Sequence, residues 1–129
     1  LPGLRVDVGN PHTVVVLPPG TALDTLDLGV VPHVAPTPSE GTNVEFVHLV
    51  GPGHIAMRVY ERGVGETRSC GTGAVAAALA TRWWEGPDEG NRRWIVDVPG
   101  GRLTVTHTLE GTAVLAGPAV LVADGVCEL

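Results

Sequence analysis

Period-two or β-branched runs occupy Leu4 to Val8, Thr13 to Leu17, Asn43 to Val50 and Ile55 to Glu61, the pattern of strands with one face toward a core. Four more candidates follow at Trp94 to Val98, Arg102 to Thr108, Thr112 to Ala116 and Val120 to Ala123. Glycine or proline separates most of these runs, and Pro52-Gly53 and Pro99-Gly100-Gly101 read as hairpin turns. Between the second and third runs, Thr21 to Gly29 carries leucines at a spacing that suits a short helix. A proline-broken stretch through Pro32, Pro36 and Pro38 then reads as loop. The only long helical pattern is Gly71 to Trp84, Ala-rich and nearly free of polar residues before Thr81. Such a helix is about 20 Å long at 1.5 Å per residue. Being apolar almost all round, it is expected to be enclosed by sheet, with small alanines letting strands approach closely. The fold class is therefore α+β, a curved mixed or antiparallel sheet wrapped around one central helix over about 71–84.

Composition narrows the function classes. A chain of 129 residues, 43% hydrophobic and 17% charged, suits one compact domain, and there is no repeat, charge block or long linker to divide it. Fourteen acidic residues against eight basic ones set a net charge of -6, which disfavours nucleic acid and anionic membrane as partners. No apolar run approaches the roughly 18 residues of a membrane helix, and no signal peptide opens the chain. With two cysteines, Cys70 and Cys127, and no disulfide scaffold, a soluble protein of the reducing cytoplasm is expected. All eight basic residues are arginines. A Schiff-base lysine is thus missing, which excludes pyridoxal phosphate chemistry by this chain alone. The chain opens at Leu1 rather than methionine, which suggests a fragment.

Chemistry concentrates in Arg62-Gly63-Val64-Gly65-Glu66-Thr67-Arg68-Ser69-Cys70-Gly71-Thr72-Gly73, at the start of the long helix. The first amides of a helix have no intrahelical acceptor, and the macrodipole adds positive charge there, so the place favours a carboxylate, a phosphate or a thiolate. Helix starts can lower a thiol from about 8.5 to roughly 3.5–7.5, so Cys70 is a candidate base or nucleophile. On local grounds alone a small buried hydrophobe is an equal reading of this cysteine. A phosphate loop is excluded, because its spacing would put glycine at Cys70 and lysine at Gly71. Zinc is disfavoured, since the two cysteines and five histidines form no CxxC and no paired-histidine spacing. A Cys/His hydrolase stays open, because spacing does not exclude a histidine meeting Cys70 in the fold.

Three segments carry a family resemblance. They are Gly9-Asn10-Pro11-His12, Thr42-Asn43-Val44-Glu45-Phe46, and the run from Arg58 to Ala74 that contains Tyr60-Glu61-Arg62-Gly63 and Ser69-Cys70-Gly71-Thr72-Gly73. In this order they resemble diaminopimelate epimerase, and Pro99-Gly100-Gly101-Arg102-Leu103 and Gly117-Pro118-Ala119 extend the similarity through nearly the whole chain. The resemblance is to the carboxy-terminal one of that family's two similar domains, so residues 1–129 are expected to form a single domain, with the amino-terminal lobe and its own cysteine absent. Ser69 and Val75 stand where the family often has Ala and Cys. Neither difference removes a group from the chemistry.

The resemblance implies interconversion of LL- and meso-diaminopimelate, in lysine and peptidoglycan biosynthesis, without metal or organic cofactor. Inversion by proton transfer needs an acid on one face and a base on the other, one from each lobe, so the isolated half is expected to be inactive. Within this chain the resemblance makes Cys70 the catalytic thiol and the Gly71 and Thr72 backbone the carboxylate site. Asn10, Asn43 and Arg62 would hold the distal end of the substrate. Glu61 would receive an ammonium and tune Cys70, whereas His12 would tune the cysteine of the other lobe. Another two-thiol racemase with a different amino acid, and a binding-only domain, are the alternatives. Locally, Asn10 before Pro11 reads as a turn residue and Glu61-Arg62 as a solvated pair. His33, His48, His54 and His107 keep structural readings, Cys127 has no role, and Trp83, Trp84 and Trp94 belong to the core or a lobe interface. A surface built to face another lobe predicts self-association, as a homodimer or swapped arrangement.

Overall fold

The computed structural model describes residues 1–86 and 92–129. Eight strands form one mixed sheet: β1 (Leu4–Asp7), β2 (Pro11–Val16), β3 (Asn43–Gly51), β4 (His54–Glu61), β5 (Gly65–Thr67), β6 (Arg93–Val98), β7 (Gly101–His107) and β8 (Ala113–Ala116). Spatial order is β1-β2-β3-β4-β6-β7-β8, parallel at β2/β3 and β4/β6 and antiparallel elsewhere. One edge of β4 is shared, because β6 pairs with His54 to Ala56 and β5 with Val59 to Glu61. Among the described residues a single α-helix, α1 (Gly71–Glu85), packs on the sheet and touches β1 to β4 and β6 to β8. An α+β lobe with a sheet curled around one helix is therefore what the periodicity predicted.

Small side chains explain the close packing of α1. Gly73, Ala74, Ala76, Ala77, Ala78, Ala80 and Thr81 are buried, and they meet Val14, Val47, Ile55, Met57, Val59, Trp94, Val96 and Val105 from the strands. Enclosure is not complete. Val75 and Leu79 are half-buried and Trp83 is exposed, a stripe at four-residue spacing that the sheet leaves open. Trp94 is thus core, while Trp83 and Trp84 lie at the exposed end of the helix in edge-to-face contact. The helix stops at Gly86, whose φ of 88° suits glycine.

Opposite α1, the second face of β2 and β3 is covered by the segment between them. Val15, Leu17 and Val44 pack there against Leu23, Leu26, Val34 and Phe46. This two-sided burial accounts for the unbroken apolar run of β2. Both expected hairpins are present, with Gly53 at φ 63° in the β3–β4 turn and Pro99-Gly100 joining the Val98 and Gly101 pair of β6 and β7.

Three local expectations need correction. The helix expected over Thr21 to Gly29 is one 3₁₀ turn, Leu23–Thr25, whose N-cap Ala22 has no side chain to bond the free amides. Val120 to Ala123 is not a strand: residues 117–129 have no regular structure, because no sheet edge pairs with them, and Val120, Leu121 and Val122 are exposed. The third correction is an addition. Strand β5 lies inside the glycine-rich stretch read as a helix approach, folding back on β4 around Gly63 and held by Arg58, which grips Glu66 through Nε and Nη2 at 2.7 and 2.9 Å.

Candidate active site

Cys70 is the N-cap of α1. Its backbone is extended, at φ -139° and ψ 112°, and its sulfur accepts the Gly73 amide at 3.4 Å, a position usually filled by a side-chain oxygen. The Thr72 hydroxyl lies 3.5 Å from the same sulfur. Gly71 and Thr72 follow as the first helical residues, whose amides have no intrahelical acceptor. A β-carbon on Gly73 would come within 2.8 Å of Glu45 Oε1 and 3.2 Å of the sulfur, so only glycine lets the helix start settle here.

Strand register brings the other groups to this end of the sheet. Pairing of β2 with β3 sets His12 opposite Asn43 and Val14 opposite Glu45, and alternation turns all four toward the helix. His12 and Glu45 have no exposed surface, and Nδ1 of the first lies 2.6 Å from Oε1 of the second. The other ring nitrogen, Nε2, is 3.1 Å from Asn10 Oδ1. Asn10 in turn donates through Nδ2 to Thr72 Oγ1 at 3.4 Å. On β4, Ile55, Met57 and Val59 are buried against the core, and the same alternation carries Glu61 to the helix side at the strand's end.

Asn43 is buried and shared between elements. Its oxygen accepts the Arg62 backbone amide at 2.8 Å and its Nδ2 donates to the Pro11 carbonyl at 3.2 Å. The Arg62 guanidinium is exposed and donates to the Glu40 carbonyl at 2.6 Å. Asn43 therefore fixes the backbone from which Arg62 projects.

Electrostatics at the sulfur differ from the expectation for a helix start. Burial pushes the Cys70 thiol above its ordinary value; the Thr72 hydroxyl and Gly73 amide pull it down, and the Glu61 and Glu45 carboxylates push it up again. The balance holds the proton on the sulfur, because enclosure and two acidic neighbours outweigh the two donors. Burial likewise raises Glu45 above the usual carboxyl range, against the opposing bond and charge of His12.

All eight residues named as a site from sequence lie at or beside this end of the sheet. Asn10, Thr72 and Cys70 are joined by hydrogen bonds, as are Asn43 and Arg62. Among the described residues no histidine pairs directly with Cys70 as in a hydrolase: the sulfur meets Thr72 and Gly73, and both ring nitrogens of His12 face oxygens of Glu45 and Asn10. Glu45 was given no role from sequence, although a signal was present. A carboxylate at the inward register of β3, between Asn43 and Val47, breaks the apolar pattern that the core requires. Cys127 is exposed and remote in character, a free thiol in the irregular tail. Among the described residues no group of three or more His, Cys, Asp or Glu is placed to hold a metal ion, and no helix is long and apolar enough to cross a membrane.

The family model described as diaminopimelate epimerase matches residues 4–122. Curated relatives include the diaminopimelate epimerase of Mycolicibacterium smegmatis, 51% identical over 95% of this chain and 42% of the relative. That of Streptomyces coelicolor is 47% identical over 96% of this chain and 44% of its own length. The chain thus spans less than half of these relatives. Among solved structures, a phenazine biosynthesis protein of the PhzF family from Enterococcus faecalis superposes with a TM-score of 0.55 at 19% identity, over 79% of this chain and 35% of that one. A putative phenazine biosynthesis PhzC/PhzF protein from Clostridium difficile gives 0.52 at 22% identity, over 78% and 35%. At these identities the likeness is one of fold.

Proposed function

The chain belongs to the diaminopimelate epimerase family, and from that premise we propose that it supplies one of two thiol faces for the interconversion of LL- and meso-diaminopimelate. Cys70 is the acid/base group. The observation that carries the reading is a thiol capping a helix start, with glycine beneath it and Glu61, Asn10 and Thr72 around it. Abstracting an α-proton leaves carbanion charge that spreads onto the adjoining carboxylate, and the Gly71 and Thr72 amides are donors for that charge. Glu61 receives the substrate ammonium. Arg62 receives the distal carboxylate, with Asn10 and the second Nδ2 hydrogen of Asn43 reading the same end. No cofactor is required for these roles.

Burial and acidic neighbours, which keep Cys70 protonated, suit it to deliver a proton to the planar intermediate while a thiolate on the opposite face removes one. That second group belongs to an amino-terminal lobe, and the chain alone is inactive. The exposed apolar stripe of α1 and the exposed Val120, Leu121 and Val122 support a surface covered by that lobe.

The test is an LL-to-meso conversion assay with this chain, with the amino-terminal half of the Mycolicibacterium smegmatis relative, and with the two mixed. Conversion is expected only in the mixture, and Cys70→Ala should reduce it at least about a hundredfold. Inversion by the chain alone would overturn the two-thiol reading. A mixture that forms a complex with both thiols reduced, yet leaves diaminopimelate unchanged, would overturn the substrate.

A further inference from the structure

Glu45 and His12 form a buried acidic-basic pair that the proposed reaction does not use in this lobe, and an unbroken line of polar contacts leads from it to Cys70. The line runs Glu45 Oε1 to His12 Nδ1 at 2.6 Å, His12 Nε2 to Asn10 Oδ1 at 3.1 Å, Asn10 Nδ2 to Thr72 Oγ1 at 3.4 Å, and Thr72 Oγ1 to Cys70 Sγ at 3.5 Å. Its direction follows from the chemistry of each link. Because Asn10 Oδ1 accepts only, Nε2 of His12 carries a hydrogen and donates. Asn10 Nδ2 donates to Thr72, which leaves the Thr72 hydroxyl hydrogen free to point at the sulfur. One further proton lies between Nδ1 and Oε1. From His12 Nε2 onward every donor along the line therefore faces Cys70, and hydrogen bonds aligned in one sense polarise each other.

We propose that the His12–Glu45 pair is a positioning element for this chain's own thiol, stabilising the negatively charged sulfur of Cys70 through Asn10 and Thr72. The inference rests on the reading of Cys70 as the acid/base thiol and adds Glu45, His12, Asn10 and the Thr72 side chain to the groups that govern it. The device matters because a thiol that delivers a proton must become a thiolate at that moment. Two carboxyl groups act on it directly, Glu61 from β4 and Glu45 from β3, and both oppose the charge; His12 from β2 meets Glu45 and Asn10 and reaches the sulfur only through the line. Against the two carboxylates, the sulfur has among the described residues only the Gly73 amide and the end of this line as donors. The free Oε2 of Glu45, buried and without a partner among the described residues, fits a side chain held for its other oxygen.

The test uses the 129-residue chain carrying Cys127→Ser, so that iodoacetamide alkylation followed against pH reports Cys70 alone. Thr72→Val removes the last donor while keeping the shape of the side chain, and Thr72 is exposed, so folding is not at stake. The alkylation midpoint should move up by about one pH unit, with rates at pH 8 falling about tenfold, and Thr72→Ser should restore both. The remote end is read by ¹⁵N shifts of the His12 ring. They should titrate with the same midpoint as Cys70 alkylation, and that response should disappear in Thr72→Val although residue 72 does not touch the ring. A His12 ring insensitive to Cys70 ionisation, or one that still responds equally in Thr72→Val, would refute the relay. Neither readout involves diaminopimelate, so a failed conversion assay with an intact relay would reject the substrate and leave this inference standing.

Discussion

Gly73 occupies a position where alanine ordinarily strengthens a helix by up to about 1 kcal/mol. Here the added carbon would meet Glu45 Oε1 at 2.8 Å, and that carboxylate has no room to yield, being fully buried and tied to His12. Gly73→Ala should therefore lower unfolding stability by about 1–3 kcal/mol. A urea titration reads this as a lower midpoint; a higher midpoint would mean that the buried pair is looser than its geometry. The same residues show how far single positions were legible. Cys70, Gly71 and Thr72 announce themselves through a glycine-rich helix start, and Asn10, His12, Asn43, Glu61 and Arg62 through motif order. The partners of each were not readable, because the Asn43 bond to Arg62 and the His12 bond to Glu45 join residues 19 and 33 positions apart. Strand register alone makes them neighbours.

At the scale of elements, alternation specified the strands well and short segments poorly. Strand β5 has three residues, too few for a period, and exists because Arg58 holds Glu66 while also donating to the Leu23 and Leu26 carbonyls at 2.6 and 2.9 Å. One arginine thus ties β4, β5 and the 3₁₀ turn together. Its guanidinium holds the Glu66 carboxyl below the usual range. A carboxyl with a depressed folded value adds stability above its unfolded value of 4.5, and that contribution is lost as pH falls through the lower folded value. Because the carboxylate side chain is 32% exposed, solvent screening keeps the magnitude small. Glu66→Gln is expected to cost about 0.5–1 kcal/mol at pH 7 and nothing once the pH lies below the folded value. Unfolding curves at pH 7 and in strong acid check both, and a cost that persists in acid would assign the effect to shape instead of charge.

The whole molecule combines a well-filled core with an unusual amount of exposed apolar surface. Trp83 is 67% exposed, Val114 53% and Leu115 42%, and beyond them Leu121, Val122 and Val126 are almost fully open. A lone lobe with this surface gains by covering it. Sedimentation of the purified chain should accordingly show a mass above that of the monomer as concentration rises, and adding a complementary amino-terminal half should return it to a one-to-one complex. A strictly monomeric profile at every concentration would reject an interface on this surface. Residues 120–123 belong to the same account. Their composition is that of a strand, but a strand requires a partner edge, and no strand of the sheet pairs with them here.

Sequence by itself determined the α+β class, most strands, both glycine hairpins and α1 to within a residue of its end, because these follow from period, propensity and turn chemistry over short stretches. It also determined the family, since spaced motifs survive without knowledge of contacts. Tertiary structure alone decided that β2 and β3 run parallel, and hence that Glu45 lies under Gly73 and beside His12. It decided as well that the net environment of Cys70 favours the thiol over the thiolate expected of a helix start. The physical reason is common to both: helix starts and turns are properties of neighbouring residues, whereas desolvation and charge at a buried sulfur are sums over groups that only the folded chain brings within reach.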